Sequence, residues 1–180
     1  MSHSRSYPDL DETTAPEEIR PMLAATRAQF GFLPSAMARM AAAPILARAF
    51  HHGLAEFERT SFTPLEREVS VLALVRLIGC EVCVALHAGL LRRMGGEVAA
   101  RQLLDGEPLS DARLEALAQL TRSLFETRGD VDAGVFAAFL AAGFSRAQAL
   151  ELLVGVGTYV MSTFSNRLTE AAVDPQLTAP

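Results

Sequence analysis

From Pro16 onward, almost every segment of this 180-residue chain spaces its apolar residues at helical intervals, and none alternates as a half-buried strand does. The ends of the helices are written in the sequence. Pro16-Glu17-Glu18 reads as a first turn leading into a helix over Ile19 to Gln29, ended by Gly31 and Pro34. A short helix is predicted over Pro34 to Met40, and Pro44 starts another that runs to Arg59. Thr63-Pro64-Leu65-Glu66 combines a capping hydroxyl, a proline at the first helical position and the glutamate of a capping box. That helix stops near Gly79. The next begins at Cys80 or Glu81 and ends at Gly95-Gly96. Further helices are predicted over Glu97 to Leu104, from Ser110 to near Gly129, over Asp130 to Ala142, and from the Ser145 cap to Leu168.

The expected fold is therefore all-α, a single domain over 16–175 built from helical hairpins. Residues 1–15 are polar, lack periodicity and read as a flexible or loosely docked N-terminal arm; 176–180 read as an irregular tail. Gly155-Val156-Gly157 lies inside a predicted helix and is expected to be a close helix-packing point. Half of the residues are hydrophobic, enough for a core without disulfide staples. The net charge of −5 lacks the basic footprint of a nucleic-acid partner. No apolar run is long enough to span a membrane, and the N-terminus lacks the apolar stretch of a secretion signal, so a cytoplasmic protein is expected.

The chemistry concentrates in Cys80-Glu81-Val82-Cys83-Val84-Ala85-Leu86-His87, which holds the only two cysteines, spaced C-x-x-C. In a reducing compartment such a pair is catalytic or metal-binding rather than a static staple. On a helix, offsets of three and four put Cys80, Cys83 and His87 on one stripe. A break at Gly79 places both thiols at a helix N-terminus, where the dipole and free N–H groups favour the thiolate. Glu68 sits twelve residues before Cys80. On one continuous helix that is about 18 Å away, but a fold-back at Gly79 brings it toward His87, where a carboxylate orients the imidazole.

Glu68, Cys80, Cys83 and His87 together spell E-x(11)-C-x-x-C-x-x-x-H, which resembles the signature of AhpD-like alkylhydroperoxidases within the carboxymuconolactone decarboxylase-like superfamily. Weaker similarities to its peroxidase-related branch are Phe30-Gly31-Phe32-Leu33-Pro34, Ala43-Pro44, Leu65-Glu66-Arg67-Glu68 and the stretch from Thr158 to Arg167. The resemblance implies an all-α, homo-oligomeric protein that reduces hydroperoxides. It implies Cys83 as the attacking thiol, Cys80 as the thiol that resolves the sulfenic acid, and Glu68 with His87 as a proton relay. A dithiol, such as that of a lipoyl-bearing protein, would be the reductant, with no cofactor and no metal. Where the family often carries His or Tyr before the second cysteine, this chain has Val82, which relays no proton.

Three other readings stand beside this one. A lyase of the carboxymuconolactone decarboxylase type would not depend on two thiols. A redox sensor or adaptor would cycle the disulfide without peroxide turnover. Two Cys, one His and one Glu also match a zinc ligand count, although the chain has no second C-x-x-C. Val84 directly after Cys83 excludes the haem-attachment motif.

Overall fold

A computed structural model describes residues 7–178. Among them the chain is helical with no strand, in ten α-helices. After a short 3-10 turn at Glu17–Ile19 come α1 (Arg20–Phe30), α2 (Ser35–Met40), α3 (Pro44–Glu58) and α4 (Pro64–Ile78). These are followed by α5 (Glu81–Arg93), α6 (Glu97–Asp105), α7 (Ala112–Glu126), α8 (Ala133–Ala141), α9 (Arg146–Leu168) and the single turn α10 (Pro175–Thr178).

The hub is α4. Its residues from Val69 to Val75 are all buried, because α5, α6, α7 and α9 pack around it. A helix enclosed on every side has no need of a polar stripe, and this one is apolar almost all round. Its start is fixed as the sequence predicts. The Thr63 hydroxyl accepts from the Glu66 backbone N–H at 3.2 Å, and the Glu66 carboxylate accepts from the Thr63 N–H at 2.8 Å. Glu66 also pairs with Arg113 of α7 at 2.8 Å, and that guanidinium lies 3.7 Å over the Phe144 ring. One capping residue thus ties α4 to α7 and to the loop before α9.

The end of α4 sets the geometry of the site. Gly79 adopts φ 75°, ψ 42°, a left-handed conformation that glycine takes without strain. The Gly79 N–H bonds to the Arg76 carbonyl, and the Cys80 N–H reaches back to Val75 at 3.2 Å. This is a Schellman closure. It reverses the chain so that α5 packs back along α4.

α3 and α9 meet closely at two glycines. A Cβ on Gly155 would lie 2.5 Å from the Phe57 ring, and one on Gly53 would lie 2.3 Å from the Thr158 hydroxyl. The expectation for Gly155 holds. Gly157 differs: it faces open space, on the opposite side of α9.

Of the expected N-terminal arm, residues 7–15 lie against the helices; the rest lies outside the described residues. The Asp11 carboxylate accepts from the backbone N–H groups of Thr13 and Thr14, both at 2.9 Å. The Leu10 N–H bonds to the Ala38 carbonyl, and Glu12 pairs with Arg27 at 2.6 Å. Ala15 is buried in a second apolar cluster with Ile19, Leu23, Met40 and Phe50. Turn chemistry, rather than a hydrophobic period, holds this segment, so its polar composition gave no sign of order. At the C-terminal end, Pro175–Thr178 form the turn α10, which packs on α5; the last two residues of the expected tail lie outside the described residues.

Candidate active site: a thiol pair beside a buried Glu–His pair

Cys80 is the N-cap of α5 and Cys83 lies in its first turn. Both are free thiols, both are buried, and their sulfurs are 3.0 Å apart. A disulfide requires about 2.05 Å, so a shift of about 1 Å would close one. Two sulfurs this close cannot both carry a charge. The hydrogen bond from the Cys83 thiol lowers the Cys80 thiol to about 6, with help from the Asn166 amide and the Arg167 charge. That hydrogen bond, burial and the facing Cys80 charge push the Cys83 thiol up. The helix N-terminus favours an anion at both positions, and the facing sulfurs divide the two thiols. One proton is shared, and Cys80 holds the charge.

Glu68 and His87 form the second pair. With α5 folded back on α4, His87 Nδ1 lies 2.8 and 3.1 Å from the two Glu68 oxygens, and both side chains are buried. A carboxylate on Nδ1 fixes the ring and leaves Nε2 free for proton traffic. The Tyr159 ring stands edge-on to His87, with centroids 5.0 Å apart and planes at 83°. Burial, followed by the charges of Glu68 and Cys83, pushes the Tyr159 phenol well above its ordinary range. Among the described residues, no hydrogen bond joins His87 to either sulfur, and none of the acidic, Cys and His side chains form a cluster of three or more suited to a metal ion.

The sequence reading missed the contribution of α9. Tyr159, Thr163 and Asn166 follow one another at offsets of four and three, on one face of that helix. Thr163 and Asn166 are buried. The Asn166 amide N–H donates to Cys83 Sγ at 3.2 Å and approaches Cys80 Sγ at 3.9 Å. Arg167 donates to the Ile78 and Gly79 carbonyls at 3.1 and 2.6 Å, pinning α9 to the corner that carries Cys80. The available signal was the buried face of α9, where Thr158, Ser162, Thr163 and Asn166 stand instead of aliphatic residues. His51 and His52 take no part: His52 is exposed, and His51 packs against Phe50.

Cys80 opens onto a hollow of about 460 Å³ that is also lined by Gly79, Val82, Asn166 and Arg167. A neighbouring apolar cavity of about 600 Å³, walled by Leu46, Met161, Phe164 and Leu168, shares Arg167 and Leu168 with it.

No protein-family model matches the chain, and no curated protein matches it in sequence. Solved structures do match in shape. An alkylhydroperoxidase AhpD core, a peroxidase-related protein from Ralstonia eutropha, superposes with a TM-score of 0.81 at 22% identity, covering 98% of this chain and 96% of its own. A peroxidase-related protein from a Silicibacter species gives 0.77 at 14% identity over 98% and 92%. The debrominase Bmp8, as a cysteine-to-alanine variant in complex with 2,3,4-tribromopyrrole, gives 0.79 at 14% over 98% and 95%. At these identities the likeness establishes the fold: an all-α AhpD-like fold.

Proposed function

We propose that this chain, an AhpD-like fold with a closely held dithiol, is a thiol-dependent hydroperoxide reductase. The observation that carries the proposal is the pair of sulfurs 3.0 Å apart, one of which, that of Cys80, belongs to the lining of an open hollow. The proton of Cys83 crosses the S–H···S contact to Cys80, and the Asn166 amide receives the charge on Cys83. The Cys83 thiolate attacks the distal oxygen of the hydroperoxide. The S–O bond forms, the O–O bond breaks, and the departing alkoxide takes the proton now on Cys80. Cys80, again a thiolate, attacks the Cys83 sulfenic sulfur. The disulfide closes and hydroxide leaves, taking a proton through the Glu68–His87 pair to become water. A dithiol reductant, with a lipoyl-bearing protein as the candidate, then returns two electrons and two protons by exchange.

The thiol pair is kept reduced most readily in a cytoplasmic setting. A second copy of the chain is the expected partner. Leu150, Val154, Gly157, Met161, Phe164 and Leu168 recur at spacings of four and three along α9, the coiled-coil interval. Leu150 is 70% exposed and Phe164 51%.

Peroxide consumption with a dithiol in excess tests the reaction. Cys83→Ser is expected to lose at least about a hundredfold in rate. Cys80→Ser is expected to consume one equivalent and stop at a sulfenic acid that dimedone traps. Unchanged turnover by Cys83→Ser would sink the proposal.

A second reading is favoured by the debrominase among the structural neighbours and by the apolar cavity that shares Arg167 and Leu168 with the hollow at Cys80. The same dithiol would reduce a carbon–bromine bond: C–H replaces C–Br, bromide and a proton leave, and the disulfide forms. Release of bromide from 2,3,4-tribromopyrrole, in step with thiol loss, separates this reading from the first.

A further inference from the structure

Asn166 Oδ1 is the one buried side-chain nitrogen or oxygen among the described residues without a hydrogen-bond partner. The residue is 3% exposed and forms part of the hollow that also holds Cys80. Buried polar atoms are almost always paired, so a bare acceptor beside two reactive sulfurs calls for an explanation. Turning the amide over would not remove the problem. It would set the oxygen lone pairs against a sulfur pair that carries negative charge, and would strand the amide donors instead of one acceptor.

We propose that Asn166 is a catalytic residue with two functions: its amide N–H, 3.2 Å from the Cys83 sulfur and 3.9 Å from that of Cys80, holds the negative charge of the thiol pair, and its carbonyl oxygen accepts the O–H of a bound hydroperoxide. The inference rests on the peroxide chemistry proposed above and extends it to substrate selection. A hydroperoxide carries its O–H donor on the oxygen being attacked; a dialkyl peroxide has none, and would leave Oδ1 unpaired in the complex. The residue beside the attacking cysteine, Val82, has no side-chain group that can do either job. On the opposite wall, Asn166 supplies both a donor and an acceptor from one side chain. Its position is fixed by the neighbouring Arg167, whose bonds to the Ile78 and Gly79 carbonyls hold α9 at the α4–α5 corner.

The test compares wild type with Asn166→Asp, which keeps the acceptor and removes the donor, and Asn166→Ala, which removes both. Circular dichroism verifies folding, and Asn166→Ser replaces either variant that fails to fold. Two quantities are read on the same samples. The first is the midpoint of thiolate absorbance against pH, with no peroxide present. It is expected to rise by about one pH unit in Asn166→Asp and to rise also in Asn166→Ala. The second is single-turnover thiol loss with cumene hydroperoxide, divided by the rate of iodoacetamide alkylation at matched thiolate fraction. That ratio is expected to fall about tenfold in Asn166→Ala and to be largely kept in Asn166→Asp. An unmoved midpoint overturns the donor function. A ratio unchanged in Asn166→Ala overturns the acceptor function. Wild-type protein inert to hydroperoxide would sink the peroxidase reading and the acceptor function with it, while the midpoint shift still decides the role of the amide.

Discussion

At the scale of single residues, the chemistry depends on where one proton sits. Cys80 and Cys83 share one proton across a 3.0 Å S···S contact, and the Cys80 thiol is lowered to about 6. The thiolate is present above that pH and lost as pH falls through it. Iodoacetamide alkylation is therefore expected to rise with a midpoint near pH 6 and to level off by neutral pH, with the label on Cys80. A midpoint at the ordinary thiol value would show that the S–H···S bond does not form. Glu68 acts on the other pair. Glu68→Ala leaves the buried His87 Nδ1 without a partner, and about 1–3 kcal/mol of stability is expected to be lost in urea unfolding. The Cys80, Cys83, His87 and Glu68 set was legible in the sequence because three of the four lie within two turns and the fourth sits on the adjoining helix. Asn166 was not: it lies 83 residues from Cys83, and nothing near it in the chain announces a sulfur.

At the scale of elements, the site depends on two helix ends and one close crossing. The start of α4 was readable from Thr63 to Glu66, since capping depends on neighbours in sequence. Thr63→Ala is expected to lower stability by about 1 kcal/mol without changing thiol reactivity, because the cap lies at the far end of the helix from Gly79. Gly155→Ala acts differently. Its Cβ would meet the Phe57 ring, which is buried and packs edge-on against Tyr159, the ring beside His87. A loss of about 1–3 kcal/mol is expected from overpacking, together with slower thiol loss to peroxide. Stability equal to wild type would contradict the crossing. A glycine pair in a helical stretch suggested close packing, but only the three-dimensional contact shows that Gly155 is the packing point and Gly157 the open one.

At the scale of the whole molecule, α4 is sheathed by other helices while α9 is shared between the site and the surface. One face of α9 brings Tyr159 to His87 and brings Thr163 and Asn166 to the Cys83 thiol; the opposite face leaves Leu150, Phe164 and Leu168 exposed. Covering that stripe with a second copy would fix α9 from outside and wall the apolar cavity. Leu150→Arg combined with Phe164→Arg is expected to shift the protein toward monomer in light scattering; an unchanged mass would place the interface elsewhere. The docked segment 7–15 belongs to this scale too. Its anchors, Asp11 to its own turn and Glu12 to Arg27, are polar contacts that carry no period. The most direct measurement is a thiol count on the reduced protein before and after one equivalent of a hydroperoxide. Both thiols are expected to vanish together and to return on adding a dithiol. Two thiols that survive the peroxide, or one lost alone and not recovered, would contradict a working Cys80–Cys83 pair.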